Sequence, residues 1–134
     1  MDTIGYHYVV EVTGADPSIL ADANSIRDIF LDAAKKAKMD VRASYFFKFS
    51  PQGVSGMIII SESHISIHTW PENQYAALDV YTCGENDPEE AVYYIIEKLK
   101  AKFSHISEIK RGIFDDDNTY THMFLSWDEK IKKD

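Results

Sequence analysis

The sequence is poor in cysteine, in glycine and proline, and in long apolar runs. A single cysteine, Cys83, excludes an intrachain disulfide and any metal site built from several thiolates. Apolar runs such as residues 57–60 are far shorter than the roughly 20 residues of a membrane span. The first ten residues, MDTIGYHYVV, lack the basic start and apolar block of a signal peptide. We therefore expect a cytoplasmic protein with no membrane partner.

Basic residues are also in the minority. The chain has 14 Lys and Arg against 22 Asp and Glu, a formal net charge of -8 at pH 7. Such a charge repels phosphate backbones, which argues against a nucleic-acid partner, and it attracts a cationic small-molecule substrate. With 134 residues and 45% hydrophobic side chains, residues 1–134 are expected to form one packed domain.

The hydrophobic pattern predicts a two-layer α/β sandwich, with helices on one face of a mostly antiparallel sheet. Five or six strands are expected, and residues 106–110 are predicted as the last, ending at Arg111-Gly112. For residues 120–127 the pattern leaves two alternatives, an extra strand or a short packing element. Strands are predicted at residues 5–13, 41–49, 54–61, 64–69 and 75–81, and helices from Asn24 and from an N-cap at Asp87. Two strand–glycine–Asp-Pro segments, at 11–17 and 79–88, indicate two related β-α-β halves.

The run SESHISIHTW, residues 61–70, holds the densest cluster of reactive side chains. His64 and His68 stand four residues apart, which on a strand is about 13 Å, too far for both to hold one metal ion. No G-x-S-x-G elbow supports a serine hydrolase. A third chemistry is self-cleavage, in which the Ser63 hydroxyl attacks the carbonyl of Glu62 and the resulting ester eliminates to leave a pyruvoyl ketone. The residues alone permit this chemistry without selecting it.

Three blocks at 50–56, 61–72 and 79–84 (SPQGVSG, SESHISIHTWPE and DVYTCG) resemble the prokaryotic pyruvoyl-dependent S-adenosylmethionine decarboxylase family. The similarity runs from about residue 5 to residue 112. It implies cleavage between Glu62 and Ser63, which would give a β chain of residues 1–62 and an α chain of residues 63–134. The pyruvoyl cofactor would derive from Ser63, and residues 113–134 would be a C-terminal extension.

The resemblance also assigns roles to individual residues. Ser55 matches the serine that steadies the oxyanion during processing, and His68 matches the base that removes the α-proton during ester cleavage. Cys83 matches the thiol that assists processing and returns a proton to the substrate carbon after carbon dioxide leaves. Three further residues are candidates for binding substrate: Phe49, Trp70 and Glu72. Aromatic faces suit the sulfonium of S-adenosylmethionine, a cation that cannot accept a hydrogen bond.

The implied function is decarboxylation of S-adenosylmethionine for spermidine synthesis, in a homodimer of cleaved αβ protomers. The ketone would condense with the substrate amino group and withdraw electrons as the carboxylate departs. One alternative is a pyruvoyl-dependent arginine or ornithine decarboxylase of the same fold. A second is a non-catalytic regulatory or binding homologue, although such a protein has no chemical need for Ser55, Ser63, His68 and Cys83 together.

Overall fold

The computed structural model describes residues 3–61, 63–83 and 85–130, in which seven strands form one antiparallel sheet and three α-helices cover one face. The strands are β1 (Gly5–Thr13), β2 (Val41–Lys48), β3 (Val54–Ile60), β4 (Ser63–Trp70), β5 (Tyr75–Thr82), β6 (Phe103–Phe114) and β7 (Tyr120–Lys130). The helices are α1 (Pro17–Leu20), α2 (Ala23–Lys36) and α3 (Pro88–Lys98), and a 3-10 turn spans Pro71–Asn73. Among these described helices, none is long and apolar enough to cross a membrane.

The sheet order is β2-β3-β4-β5-β1-β6-β7, and every neighbouring pair is antiparallel. Each half of the chain carries a strand, a helical segment and a two-stranded hairpin. β1 leads through α1 and α2 to the β2–β3 hairpin at one edge, while β5 leads through α3 to the β6–β7 hairpin at the other. The predicted two-layer architecture with two related halves is confirmed.

The core lies between the sheet and the helices, and strand alternation explains its composition. Tyr8, Val10 and Val12 of β1 point to the helices and are buried, as alternating side chains on a strand must share a face. They pack in one cluster with Ile26 and Phe30 of α2, both fully buried. Burial of this continuous apolar layer stabilises the fold.

Aspartate caps begin both long helices. The Asp22 carboxylate accepts a hydrogen bond from the Asn24 N–H at 3.2 Å, ahead of α2. At α3, the Asp87 carboxylate accepts one from the Glu90 N–H at 3.3 Å, and Pro88 occupies the first helical position. The N-cap predicted at Asp87 is confirmed. Its carboxylate satisfies a backbone N–H of the first turn that has no acceptor within the helix.

Two predictions about the C-terminal part are wrong. The sheet has seven strands where five or six are expected, and the strand predicted at residues 106–110 is neither the last nor ended at Gly112. Instead β6 passes through Gly112, whose φ of +78° is accessible to glycine, and the register with β7 shifts between Lys110 and Ile113. Of the two possibilities for residues 120–127, the extra strand is the one observed.

The face of the sheet opposite the helices, called here the open face, carries the side chains that matter for function. β4 presents His64, Ser66, His68 and Trp70 there, because these alternate with buried Ile65 and Ile67. Large apolar side chains are exposed on the same face at the β2–β3 edge: Tyr45, Phe47, Met57 and Ile59. A sheet face this apolar and uncovered is suited to contact another surface.

Candidate active site

Ser55 and His68 form a hydrogen-bonded pair on the open face. They are directly opposite each other in the β3–β4 register, and Oγ of Ser55 lies 2.9 Å from Nδ1 of His68. In the tautomer with the proton on Nδ1, His68 donates to Oγ and its Nε2 keeps a lone pair that can accept a proton. The arrangement can therefore orient an imidazole as a base.

The three predicted substrate-binding residues lie at the same end of the sheet as this pair. The Trp70 ring is exposed, with its centroid 6.5 Å from the His68 ring and 5.3 Å from the Tyr75 ring. Glu72 is exposed in the 3-10 turn that follows β4. Phe49 follows β2, and its ring packs tightly on Gly53. A Cβ added to Gly53 would lie only 2.5 Å from Cζ of Phe49. We call Phe49, Ser55, His68, Trp70 and Glu72 the histidine half-site.

Ser63 and Cys83 lie at the opposite end of the sheet, and we call them the serine half-site. Ser63 begins β4, and half-buried Cys83 comes directly after β5. His64 pairs with Tyr81, so the β4–β5 register brings the start of one strand beside the end of the other. The Ser63 Oγ is buried and has no hydrogen-bond partner within the described part of the chain. Glu62, the other residue of the predicted cleavage bond, lies outside the described residues, as does Gly84 of the DVYTCG block.

One protomer does not bring the two half-sites together. Ser63 pairs with Ile60 in β3, whereas His68 pairs with Ser55 at the far end of the same hairpin. Five residues along a strand span about 16 Å, and an odd separation directs the two side chains to opposite faces. Within a single chain, His68 is therefore too far from Ser63 to act on it.

Glu11 is a carboxylate near the histidine half-site that the sequence analysis missed. In the open-face register, Glu11 of β1 pairs with Ala77, and Ala77 pairs with His68. The Tyr75 hydroxyl donates a hydrogen bond to the Glu11 carboxylate. Burial first, and then this contact with Glu11, raises the pKa of Tyr75 to about 12. Alternation in β1 marks Glu11 as an open-face residue, but only strand pairing shows that it lies near His68.

A polar and aromatic cluster occupies the open face beside the serine half-site. Nε2 of His7 lies 3.0 Å from Oδ1 of Asp79, and the Arg111 guanidinium lies 4.9 Å from the centre of the Tyr81 ring. His64 contacts the rings of both His7 and Tyr81. Burial, followed by repulsion from His7 and Arg111, lowers the pKa of His64, although Asp79 opposes the shift. The folded environment of His64 therefore favours its neutral form.

Comparisons with known proteins assign a family to this arrangement. The sequence model described as S-adenosylmethionine decarboxylase matches residues 6–112. The chain belongs to the S-adenosylmethionine decarboxylase family. It is 66% identical to a Pyrococcus furiosus protein named S-adenosylmethionine decarboxylase proenzyme, over 99% of this chain and 96% of that protein. The predicted membership of the family is confirmed.

More distant members of the S-adenosylmethionine decarboxylase family cover less of the chain. A proenzyme from Caldicellulosiruptor saccharolyticus is 50% identical over 86% of this chain and 94% of its own length. The crystal structure of the adenosylmethionine decarboxylase from Aquifex aeolicus superposes with a TM-score of 0.78 at 35% identity. The superposition covers 87% of this chain and 97% of the Aquifex aeolicus chain. The family match ends at residue 112, so β7 lies wholly beyond it.

Proposed function

We propose that this chain is a self-processing, pyruvoyl-dependent decarboxylase that acts on S-adenosylmethionine and supplies the decarboxylated product for spermidine synthesis. Membership of the family carries the proposal, and relatives at 63–66% identity are named as proenzymes. The chemistry of the two half-sites supports it. Both contain side chains of the types that chain cleavage and decarboxylation require.

The residues present fit a pyruvoyl group at position 63. The buried Ser63 Oγ has no hydrogen-bond partner in the described chain, so its attack on the Glu62 carbonyl would break no hydrogen bond to a described residue. In the proposed processing, Oγ bonds to that carbonyl carbon as the peptide C–N bond breaks, which leaves an ester. Loss of the residue 63 α-proton then expels the Glu62 carboxylate, and water replaces the nitrogen, which leaves as ammonia. Residues 1–62 and 63–134 would become separate chains.

His68 is the proposed acceptor of that α-proton, through Nε2, while Nδ1 donates to Ser55. The Ser55 hydroxyl could alternatively donate to the oxyanion that forms during attack on the carbonyl. Both roles depend on reaching residue 63, which the same protomer does not allow at about 16 Å along the strand. A second copy is therefore part of the proposal.

The proposed assembly is a homodimer with open face against open face, one copy turned end for end. This arrangement lays the end of β4 that carries residue 63 in each copy beside the histidine half-site of the other, which creates two composite sites. In each one, His68 would approach the α-carbon of residue 63 from the open face, and not the Oγ on the helix side. Tyr45, Phe47, Met57 and Ile59, exposed in one chain, would be covered in the pair. Because the symmetry is twofold, the same surface serves both partners.

When formed, a pyruvoyl ketone supplies an electrophile that holds the substrate amino group and draws electrons as the carboxyl group leaves. Cys83, beside Ser63, is the proposed proton donor to the substrate α-carbon. Phe49, Trp70 and Tyr75 offer ring faces to the sulfonium and the adenine. Glu72 and Glu11 are carboxylates available to the ribose hydroxyls. Glu11 is available as well as the predicted Glu72, because strand pairing through β5 places it in register with His68.

The substrate is tested with carboxyl-labelled S-adenosylmethionine, arginine and ornithine, each with and without putrescine. We expect carbon dioxide from S-adenosylmethionine alone. Phe49→Ala should raise the Michaelis constant by up to about 100-fold, since it removes a stacking surface worth up to roughly 3 kcal/mol. Phe114→Ala is the matched control, because Phe114 is an exposed ring at the C-terminal end of β6, far from the end of β2 that Phe49 follows. Release from arginine or ornithine instead would overturn the substrate, and release from none of the three would overturn the enzyme assignment.

A further inference from the structure

The sheet ends in two unlike edge strands, β2 and β7. β2 has features that discourage pairing with another strand: a register irregularity between Val41 and Ala43, and the basic residues Arg42 and Lys48 near its two ends. Strand edges protected in this way keep a sheet from extending into a neighbour.

β7 has none of these protections over most of its length. Its 11 residues contain no proline or glycine, and residues 120–127 (YTHMFLSW) contain no Lys, Arg, Asp or Glu. Met123, Phe124 and Leu125 in its centre are 59%, 65% and 53% exposed. Its inner side pairs with β6, and no strand of the described chain pairs with its outer side. A long, apolar and unprotected edge of this kind is a surface for strand addition.

We propose that β7 pairs edge to edge, antiparallel, with β7 of a second copy, with the twofold axis at Leu125. This register is self-complementary: it sets His122 opposite Asp128, Met123 opposite Trp127, and Tyr120 opposite Lys130 of the other copy. Asp128 contacts His105 through Oδ1, at 2.6 Å, which leaves its Oδ2 for the incoming imidazole. Opposed pairs of opposite charge or of apolar character stabilise antiparallel strands.

Residues that pair across this axis lie on the same face of the sheet, so both helical layers stay on one side of a continuous fourteen-stranded sheet. The contact uses an edge and leaves the open face uncovered, so it is compatible with the proposed homodimer and does not depend on it. Together the two contacts have perpendicular twofold axes, which close at four copies where the axes intersect. β7 lies outside the family match at residues 6–112, so the contact is an addition to the part of the chain that carries the chemistry.

The first test measures native mass by light scattering or sedimentation for the wild type, Leu125→Lys and Leu125→Ile. Two lysines facing each other at about 5 Å should break the contact. We therefore expect Leu125→Lys to halve the native mass and Leu125→Ile to keep it. The halving is from four copies to two if the open faces also pair, and from two to one if they do not. Self-cleavage, followed separately, should be unchanged. If Leu125→Lys leaves the native mass of the wild type unaltered, the proposal is overturned. The same result is expected if β7 binds a different protein and not a second copy.

The second test fixes the register by cysteine cross-linking. Leu125→Cys should form a disulfide between copies under mild oxidation, because cysteines opposed on the axis lie about 5 Å apart, within disulfide range. Thr121→Cys is the matched control, being exposed on the same face of β7. In this register its two copies lie about 27 Å apart. Equal cross-linking at both positions would reject the register.

Discussion

Co-expression of two inactive variants tests whether the active site is shared between copies. Ser63→Ala keeps an intact histidine half-site, and His68→Ala keeps an intact serine half-site. About 16 Å of strand and opposite faces separate residues 63 and 68 in one chain, so each variant alone should stay unprocessed. In a mixed dimer, however, the serine half-site of one chain meets the histidine half-site of the other.

The expected yield follows from random assortment. About half of the dimers are mixed, and each contains one complete composite site and one doubly defective site. About half of the His68→Ala chains, or a quarter of all chains, should therefore become cleaved. Denaturing mass spectrometry resolves the two variants if each has a different tag.

A matched control places both substitutions in one chain. Wild-type chain co-expressed with the double variant Ser63→Ala/His68→Ala should remain uncleaved in mixed dimers, so about half of the wild-type chains stay whole. If residues 63 and 68 of the same chain react with each other, the wild-type chains cleave completely and the two single variants never complement. That pattern would refute the shared site.

Three further outcomes are expected. Thr69→Val, measured by urea unfolding in the uncleavable Ser63→Ala chain, should lower the free energy of unfolding by about 2–5 kcal/mol. Thr69→Ser keeps the hydroxyl and removes one buried methyl group, so it should lower that free energy by only about 1 kcal/mol. The buried Thr69 hydroxyl accepts from the Val54 N–H at 2.8 Å and donates to the Leu20 carbonyl at 2.7 Å, and valine would leave both unsatisfied; an unchanged unfolding midpoint would contradict this. His64 has a lowered pKa, so the folded state favours its neutral form, and stability present above about pH 6.5 should be lost as pH falls through the folded pKa. Urea midpoints between pH 7 and pH 5 should therefore fall more for the parent chain than for His64→Gln, and parallel curves would reject the assignment. Cys83→Ala should process slowly and release little or aberrant product, as followed by mass and product chromatography; wild-type turnover would remove Cys83 from the mechanism.

Much of the fold follows from local pattern. Alternation predicts the faces of β1, β4 and β5, and an aspartate three residues before Glu90 predicts the start of α3. Local pattern fails at Gly112. The glycine predicts the end of a strand there, but in the structure Gly112 lies inside β6. A glycine at positive φ can either end a strand or carry it through an irregularity, and pairing with β7 decides between the two.

The candidate site is predictable as a set of residues but not as an arrangement. Ser55, Ser63, His68 and Cys83 are recognisable from sequence blocks, whereas their division into two half-sites depends on the β3–β4 and β4–β5 registers. The alternation of side chains along a strand gives the face on which each one lies. It does not give the residues that lie beside it on neighbouring strands, because these are set by the register of strand pairing. Glu11 shows the same limit. It lies more than 50 residues from His68 in sequence, and the two are in register only because both pair with Ala77 of β5.

The mass of the purified protein under denaturing conditions tests self-processing most directly. The intact chain is 15.3 kDa, and cleavage after residue 62 of 134 divides it into fragments of about 7 and 8 kDa. The account predicts both fragments in the wild type, with the larger one labelled by phenylhydrazine at a new ketone, and a single unlabelled chain in Ser63→Ala. A wild-type chain that remains at 15.3 kDa after prolonged incubation, without reaction with the carbonyl reagent, would contradict it.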